Sequence, residues 1–135
     1  MKIIVCLDDR NGMLFAGRRQ SMDRVLRQQA LALAGEQPLW MNGYSAGQFG
    51  AEEKIRVDEA FLDHAPEDAW CFVENTDLTA YLSRVQQVVV YRWNRHYPST
   101  TYFPVAEFEN KWQLVSSREF PGSSHDTITE EVYAL

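Results

Sequence analysis

Apolar residues fall along this chain in two kinds of run. KIIVCL at 2–7, WCFV at 70–73 and VVVYRW at 88–93 are nearly continuous apolar and β-branched stretches, the pattern of strands covered on both faces near the middle of a largely parallel sheet. Between them the spacing becomes helical. Met22, Val25, Leu26, Ala30 and Leu33 form one stripe, with Ser21 read as its N-cap and Gly35 as its end. Pro38 opens a short strand, PLWM, Asn42-Gly43 turns the chain, and Ser45 reads as the cap of a brief helical turn. Residues 46–56 are small and charged and carry little strand signal. Asp58 to Ala65 predicts a short helix with Ala60 and Phe61 inward, and Thr76 caps a predicted helix through Leu78, Tyr81, Leu82 and Val85.

The texture changes toward the C-terminus. WQLVSS at 112–117 and TITEEVY at 127–133, joined through Pro121-Gly122-Ser123-Ser124, predict an antiparallel pair at a sheet edge. Ile128, Glu130 and Val132 fall on one face of the last strand, Thr129, Glu131 and Tyr133 on the other. Residues 8–20 read as a loop broken by Asn11-Gly12 and Gly17. Together these elements predict a single domain over residues 1–135: an α/β three-layer sandwich, with helices on both faces of a mixed, mostly parallel central sheet that ends in a C-terminal antiparallel strand pair.

Composition narrows the function classes. A chain of 135 residues, 45% hydrophobic and 24% charged, has enough apolar surface for one core and is not a disordered chain. No apolar run approaches the ~20 residues of a membrane helix, and the opening MKIIVCLDD is too short for a signal sequence. A soluble cytoplasmic protein with no membrane partner is expected. The net charge of −6 divides unevenly, residues 1–30 carrying +3 and the remainder −9. An acidic whole argues against a nucleic-acid partner, while the basic first segment suits a small anion. Cys6 and Cys71 lie inside strand-like runs as buried thiols. His64, His96 and His125 are isolated, without HxHxDH or HExxH spacing, so no metal site is expected. A phosphate-cradling P-loop motif is absent, and Gly43-Tyr44-Ser45-Ala46-Gly47 is not taken as a serine-hydrolase motif.

The order of these segments resembles the dihydrofolate reductase family over nearly the whole chain. Leu7-Asp8-Asp9-Arg10-Asn11-Gly12-Met13 is similar to the family's first strand running into its mobile active-site loop. Asp23 stands where the family places an acidic residue facing the pterin in the first turn of a helix. Val57–Phe61 is similar to the short helix before the fifth strand, and Val85–Tyr91 to the strand after the cofactor helix. Thr101-Tyr102-Phe103-Pro104 matches the family's Phe-Pro corner. Trp112–Ser116 and Glu131-Val132-Tyr133 match its last two strands.

Four departures bear on activity. The family's Gly-Gly after the fifth strand, which lets backbone amides approach the cofactor pyrophosphate, is replaced by Val73-Glu74-Asn75-Thr76. Met41-Asn42-Gly43-Tyr44-Ser45 keeps the methionine and a hydroxyl of the family's Met-Gly-Arg-x-Thr but loses the arginine. Between Ser45 and Val57 too few residues remain for the family's next strand, its folate-gripping arginine and its 2′-phosphate loop. Tyr91 replaces the threonine that bonds to the acidic pterin partner.

Two functions follow from the resemblance. In the first, the fold keeps a degenerate dinucleotide site, needs no cofactor, and binds a small-molecule ligand or a protein partner in the cleft between Asp8–Arg19 and Asp23. In the alternative, it is an NADPH-dependent reductase of a pterin or related heterocycle. Asp23 is then the proton relay and substrate anchor, Asp8, Arg18, Arg19 and Tyr91 are the substrate-binding residues, and Ser45, Asn75 and Thr76 serve the cofactor. The shortened segment also leaves a sheet edge near Trp40 and Lys54–Val57, through which a homodimer is expected.

Overall fold

The computed structural model describes residues 1–105 and 111–134. Its centre is a seven-stranded sheet, built from β1 (Lys2–Leu7), β4 (Leu39–Met41), β5 (Ile55–Val57), β6 (Trp70–Phe72), β7 (Gln87–Arg92), β9 (Gln113–Phe120) and β10 (Ile128–Ala134), in the spatial order β5-β4-β6-β1-β7-β10-β9. The first five strands in that order run parallel, and β10 turns antiparallel against β7 and β9. This is the mixed sheet with a C-terminal antiparallel pair that the sequence predicts.

The continuous apolar runs are explained by what lies on each face. Ile3, Val5 and Leu7 of β1 pack with Phe61, Leu62, Leu78 and Val85, whereas Ile4 packs with Leu26, Ala30 and Ala34. The second group belongs to α1 (Arg24–Ala34), which shares its face of the sheet with α2 (Gly43–Phe49); α3 (Phe61–His64) and a 3-10 helix (Thr79–Arg84) cover the other. Strands buried on both sides have no polar face to show.

Several element readings are corrected. Residues 8–20 are more than a loop: β2 (Gly12–Phe15) and β3 (Arg18–Arg19) form a hairpin, and β8 (Thr101–Tyr102) joins β2 to make a small three-stranded sheet. Its turn residues Ala16 and Gly17 have φ of 50° and 76°, both in the left-handed region that a two-residue hairpin turn demands. Residues 55–57, without strand signal, pair with β4 and form the sheet edge. Ser45 lies inside α2, whose N-cap is Asn42. The helix predicted from Thr76 is a 3-10 helix whose N-cap, Leu78, makes no side-chain capping bond. The cap of α1 is Asp23 in place of Ser21. Among the described residues, no helix is long and apolar enough to cross a membrane.

Candidate functional site

The parallel strands β1, β4, β6 and β7 direct their C-terminal ends to one edge of the sheet, the place where open α/β sheets bind ligands. Segments leaving those strands meet the β2–β3 hairpin there, and Cys6, Arg19, Gln20, Ser21, Val73, Glu74 and Trp93 surround a cavity of about 10 Å³. That is room for roughly one water molecule.

Asp23 does not open onto this cavity as a free carboxylate. It is 1% exposed. Its Oδ1 accepts the Val25 and Leu26 N–H groups at 2.9 and 3.1 Å, capping α1, and the Ser123 N–H at 3.1 Å. Its Oδ2 accepts the Ser124 N–H at 2.8 Å and faces His125 Nδ1 at 3.0 Å. Burial alone would raise the pKa, but the Ser124 N–H, the His125 ring and the Ser123 N–H outweigh it and hold the carboxyl well below the usual carboxylate range. The turn between β9 and β10 is wrapped so closely that a Cβ on Gly122 would lie 2.5 Å from Asp23 Oδ2.

Asp8 has a similar role on the opposite side of the hairpin. Fully buried, it accepts the Gly12 and Arg10 N–H groups on Oδ1 at 2.7 and 2.9 Å. The Tyr97 N–H at 3.1 Å and the Ser99 hydroxyl at 3.2 Å reach Oδ2. Here too burial is outweighed, chiefly by the Gly12, Arg10 and Tyr97 N–H groups, and the pKa is lowered.

Arg19 crosses the cleft. Its guanidinium donates to Glu74 through Nε at 3.0 Å and Nη2 at 3.1 Å, donates to the Tyr44 carbonyl at 2.9 Å, and lies 4.3 Å from the centre of the Tyr44 ring. The Tyr44 hydroxyl oxygen accepts the Arg19 backbone N–H at 2.8 Å. A fork-to-carboxylate pair of this kind fixes both partners. Arg18, its neighbour, is exposed on β3.

Tyr91 lies away from the cleft. It is buried on the α1 face, donates to Glu130 Oε2 at 2.9 Å and meets Phe120 edge-on. Arg118 neutralises Glu130 at 3.0 Å. Ser45 is 1% exposed, and its Oγ has no hydrogen-bond partner among the described residues. Asn75 accepts from Asn42 Nδ2 at 2.7 Å. Thr76 lines a groove of about 410 Å³ between residues 74–79 and the β2–β8 pair, with Thr79, Thr101 and Tyr102 among its walls. The structure thus brings Arg19, Asn75 and Thr76 to neighbouring positions and leaves Arg18, Ser45 and Tyr91 outside the cavity.

The sequence reading missed the groups that fill the site. Glu59 Oε2 takes the Gly43 N–H at 2.7 Å, and Asp77 Oδ1 takes the Thr79 N–H at 2.9 Å. His125 reaches the cleft from the far end of the chain. One motif also needs correction, since Gly43-Tyr44-Ser45-Ala46-Gly47 does match G-x-S-x-G. Its serine is buried within α2 and its hydroxyl has no hydrogen-bond partner among the described residues, so the motif presents no exposed nucleophile.

No protein-family model matches this chain, and no curated protein matches it in sequence. Among solved structures, a dihydrofolate reductase from Enterococcus faecalis complexed with NADP(H) and RAB-propyl aligns over 98% of this chain and 94% of that chain, with a TM-score of 0.68 and 11% identity. The chain has the dihydrofolate reductase fold.

Proposed function

We propose that this chain uses the reductase fold to hold a small ligand rich in hydrogen-bond donors, and not to transfer hydride from a dinucleotide. The observation that carries this reading is the placement of its own carboxylates. A dinucleotide pyrophosphate needs free backbone N–H groups and no neighbouring negative charge. Here Glu59 takes the Gly43 N–H, Asp77 takes the Thr79 N–H, and Glu74 occupies the Arg19 guanidinium. The six-residue 3-10 helix after β6 starts at Thr79, whose N–H is the one that Asp77 already takes. On this reading NADP(H) does not suit the residues present.

The groove beside residues 74–79 supports the ligand class. At about 410 Å³ it falls in the range of small-molecule sites, and Asp77, Thr76, Thr79 and Thr101 give it acceptors and hydroxyls. An amine or polyol suits such walls better than a phosphate. The test is a calorimetric titration of NADPH into wild-type protein and into a Glu74→Gly, Asn75→Gly double variant. Removing one charge and two Cβ atoms is expected to strengthen NADPH binding by roughly ten- to a hundredfold. Equal binding by the two proteins would remove the ground for this reading.

A further inference from the structure

His125 organises a second set of contacts, which the ligand reading does not use. It is 5% exposed in the turn between β9 and β10 and stacks on Trp93, ring centroids 4.6 Å apart. Its Nδ1 faces Asp23 Oδ2 at 3.0 Å, and its Nε2 faces Ser21 Oγ at 3.0 Å and Tyr97 Oη at 3.2 Å. An ionised carboxylate is an acceptor alone, so Asp23 assigns the hydrogen of the neutral ring to Nδ1 and leaves the Nε2 lone pair to the hydroxyls. This is the order of contacts by which an acid orients a base and the base activates a serine.

We propose that Ser21, His125 and Asp23 form a hydrolytic triad for small acyl esters, with Ser21 as nucleophile, His125 as general base and Asp23 as its positioning residue.

Three further features favour chemistry at Ser21. The side chains are held before substrate arrives: four backbone N–H groups fix Asp23, and Trp93 fixes the imidazole plane. Ser21 is half-buried and lines the cavity of about 10 Å³ with Cys6, Met13, Val73 and Trp93. A space of that size holds one water molecule and no acyl chain, so only a short acyl group approaching Ser21 from its solvent side suits the site. Tyr97 Oη lies 3.2 Å from the same Nε2 atom, so that once Nε2 takes the Ser21 proton the phenolic O–H is free to turn to a developing oxyanion.

The reaction uses water as its second substrate. Ser21 Oγ bonds to the ester carbonyl carbon while its proton passes to His125 Nε2. The bond from that carbon to the alkoxy oxygen breaks, and the departing alcohol takes the proton from Nε2. Water then adds to the acyl-serine by the same route, releasing a carboxylic acid and restoring the Ser21 hydroxyl.

The test combines p-nitrophenyl acetate turnover with labelling by an alkyl fluorophosphonate, read by intact mass and peptide mapping. Wild-type protein is expected to show saturable turnover and a single adduct on Ser21. Ser21→Ala is expected to lose the adduct and to lower turnover about a hundredfold or more, with thermal unfolding nearly unchanged. Asp23→Asn, if folded by circular dichroism, is expected to lower kcat with little change in KM. Wild-type turnover in Ser21→Ala, or a folded wild type with neither adduct nor turnover, would leave these contacts a structural network and overturn the proposal.

Discussion

On the α1 side of the cleft, the carboxylate of Asp23 is 1% exposed and surrounded by Val25, Leu26, Ser123, Ser124 and His125 donors. On the β6 side, Glu59 and Asp77 sit at the surface, each on one backbone N–H, and Glu74 is held by one guanidinium. Both sides are closed by acidic groups of the chain itself, but the two closures differ in what they support. Asp23 joins residues a hundred positions apart, so the helix start, the β9–β10 turn and the cleft wall all depend on it. Of the β6-side acids, Asp77 satisfies a donor two residues away, while Glu59 and Glu74 reach Gly43 and Arg19 from 16 and 55 residues along the chain, each through a single partner. One side is therefore built around a single buried junction, and the other from separate pairwise contacts.

The contrast is broken most severely at Asp23. Asp23→Asn exchanges one acceptor oxygen for an amide donor facing other donors, and is expected to lower the unfolding free energy by about 3 kcal/mol in urea denaturation. Gly122→Ala attacks the same junction sterically, since the new Cβ meets Asp23 Oδ2 and the His125 carbonyl; about 2 kcal/mol of destabilisation is expected by the same measurement. On the β6 side, Arg19→Ala leaves Glu74 without its partner, at side-chain exposures of 21% and 8% for the pair. Both side chains are largely buried, and the carboxylate left without its guanidinium is expected to cost about 2 kcal/mol. A larger loss for Arg19→Ala than for Asp23→Asn would reverse the assignment of the two sides.

Acid sharpens the same distinction. The folded-state pKa values of Asp8 and Asp23 are lowered, so their contribution is complete above the ordinary aspartate value of about 3.9 and is lost as pH falls through and below it. Stability is expected to be level with respect to these two groups from neutral pH to about 5 and to drop below about 4. In Asp23→Asn that acid drop is expected to be shallower, as measured by urea midpoints across the pH range.

The fold was legible in the chain where burial is two-sided. KIIVCL, WCFV and VVVYRW can be nothing but interior strands once helices cover both faces, and they are β1, β6 and β7. Ile55–Val57 was not legible, because three residues between charged neighbours become a strand through pairing with β4. Residues 79–84 have helical apolar spacing, which does not distinguish an α-helix from a 3-10 helix. At the candidate site, the local pattern reads Ser21 as the cap of α1, but Asp23 takes that place together with contacts from residues 122–125. Two serines show the same limit. Ser45 carries the G-x-S-x-G letters but its hydroxyl has no hydrogen-bond partner among the described residues, whereas Ser21 has His125 at 3.0 Å and no motif around it. Contacts that span a hundred residues leave no local pattern to read.

The proposed ligand function rests on closure of the β6 side by Glu59, Glu74 and Asp77. The most direct measurement is titration of the wild-type protein with NADPH, followed by quenching of tryptophan fluorescence, with Trp93 at the cavity wall as the reporter. The account predicts no saturable quenching up to millimolar NADPH. Saturable binding in the micromolar range would contradict it and return the chain to the dinucleotide-dependent reductases.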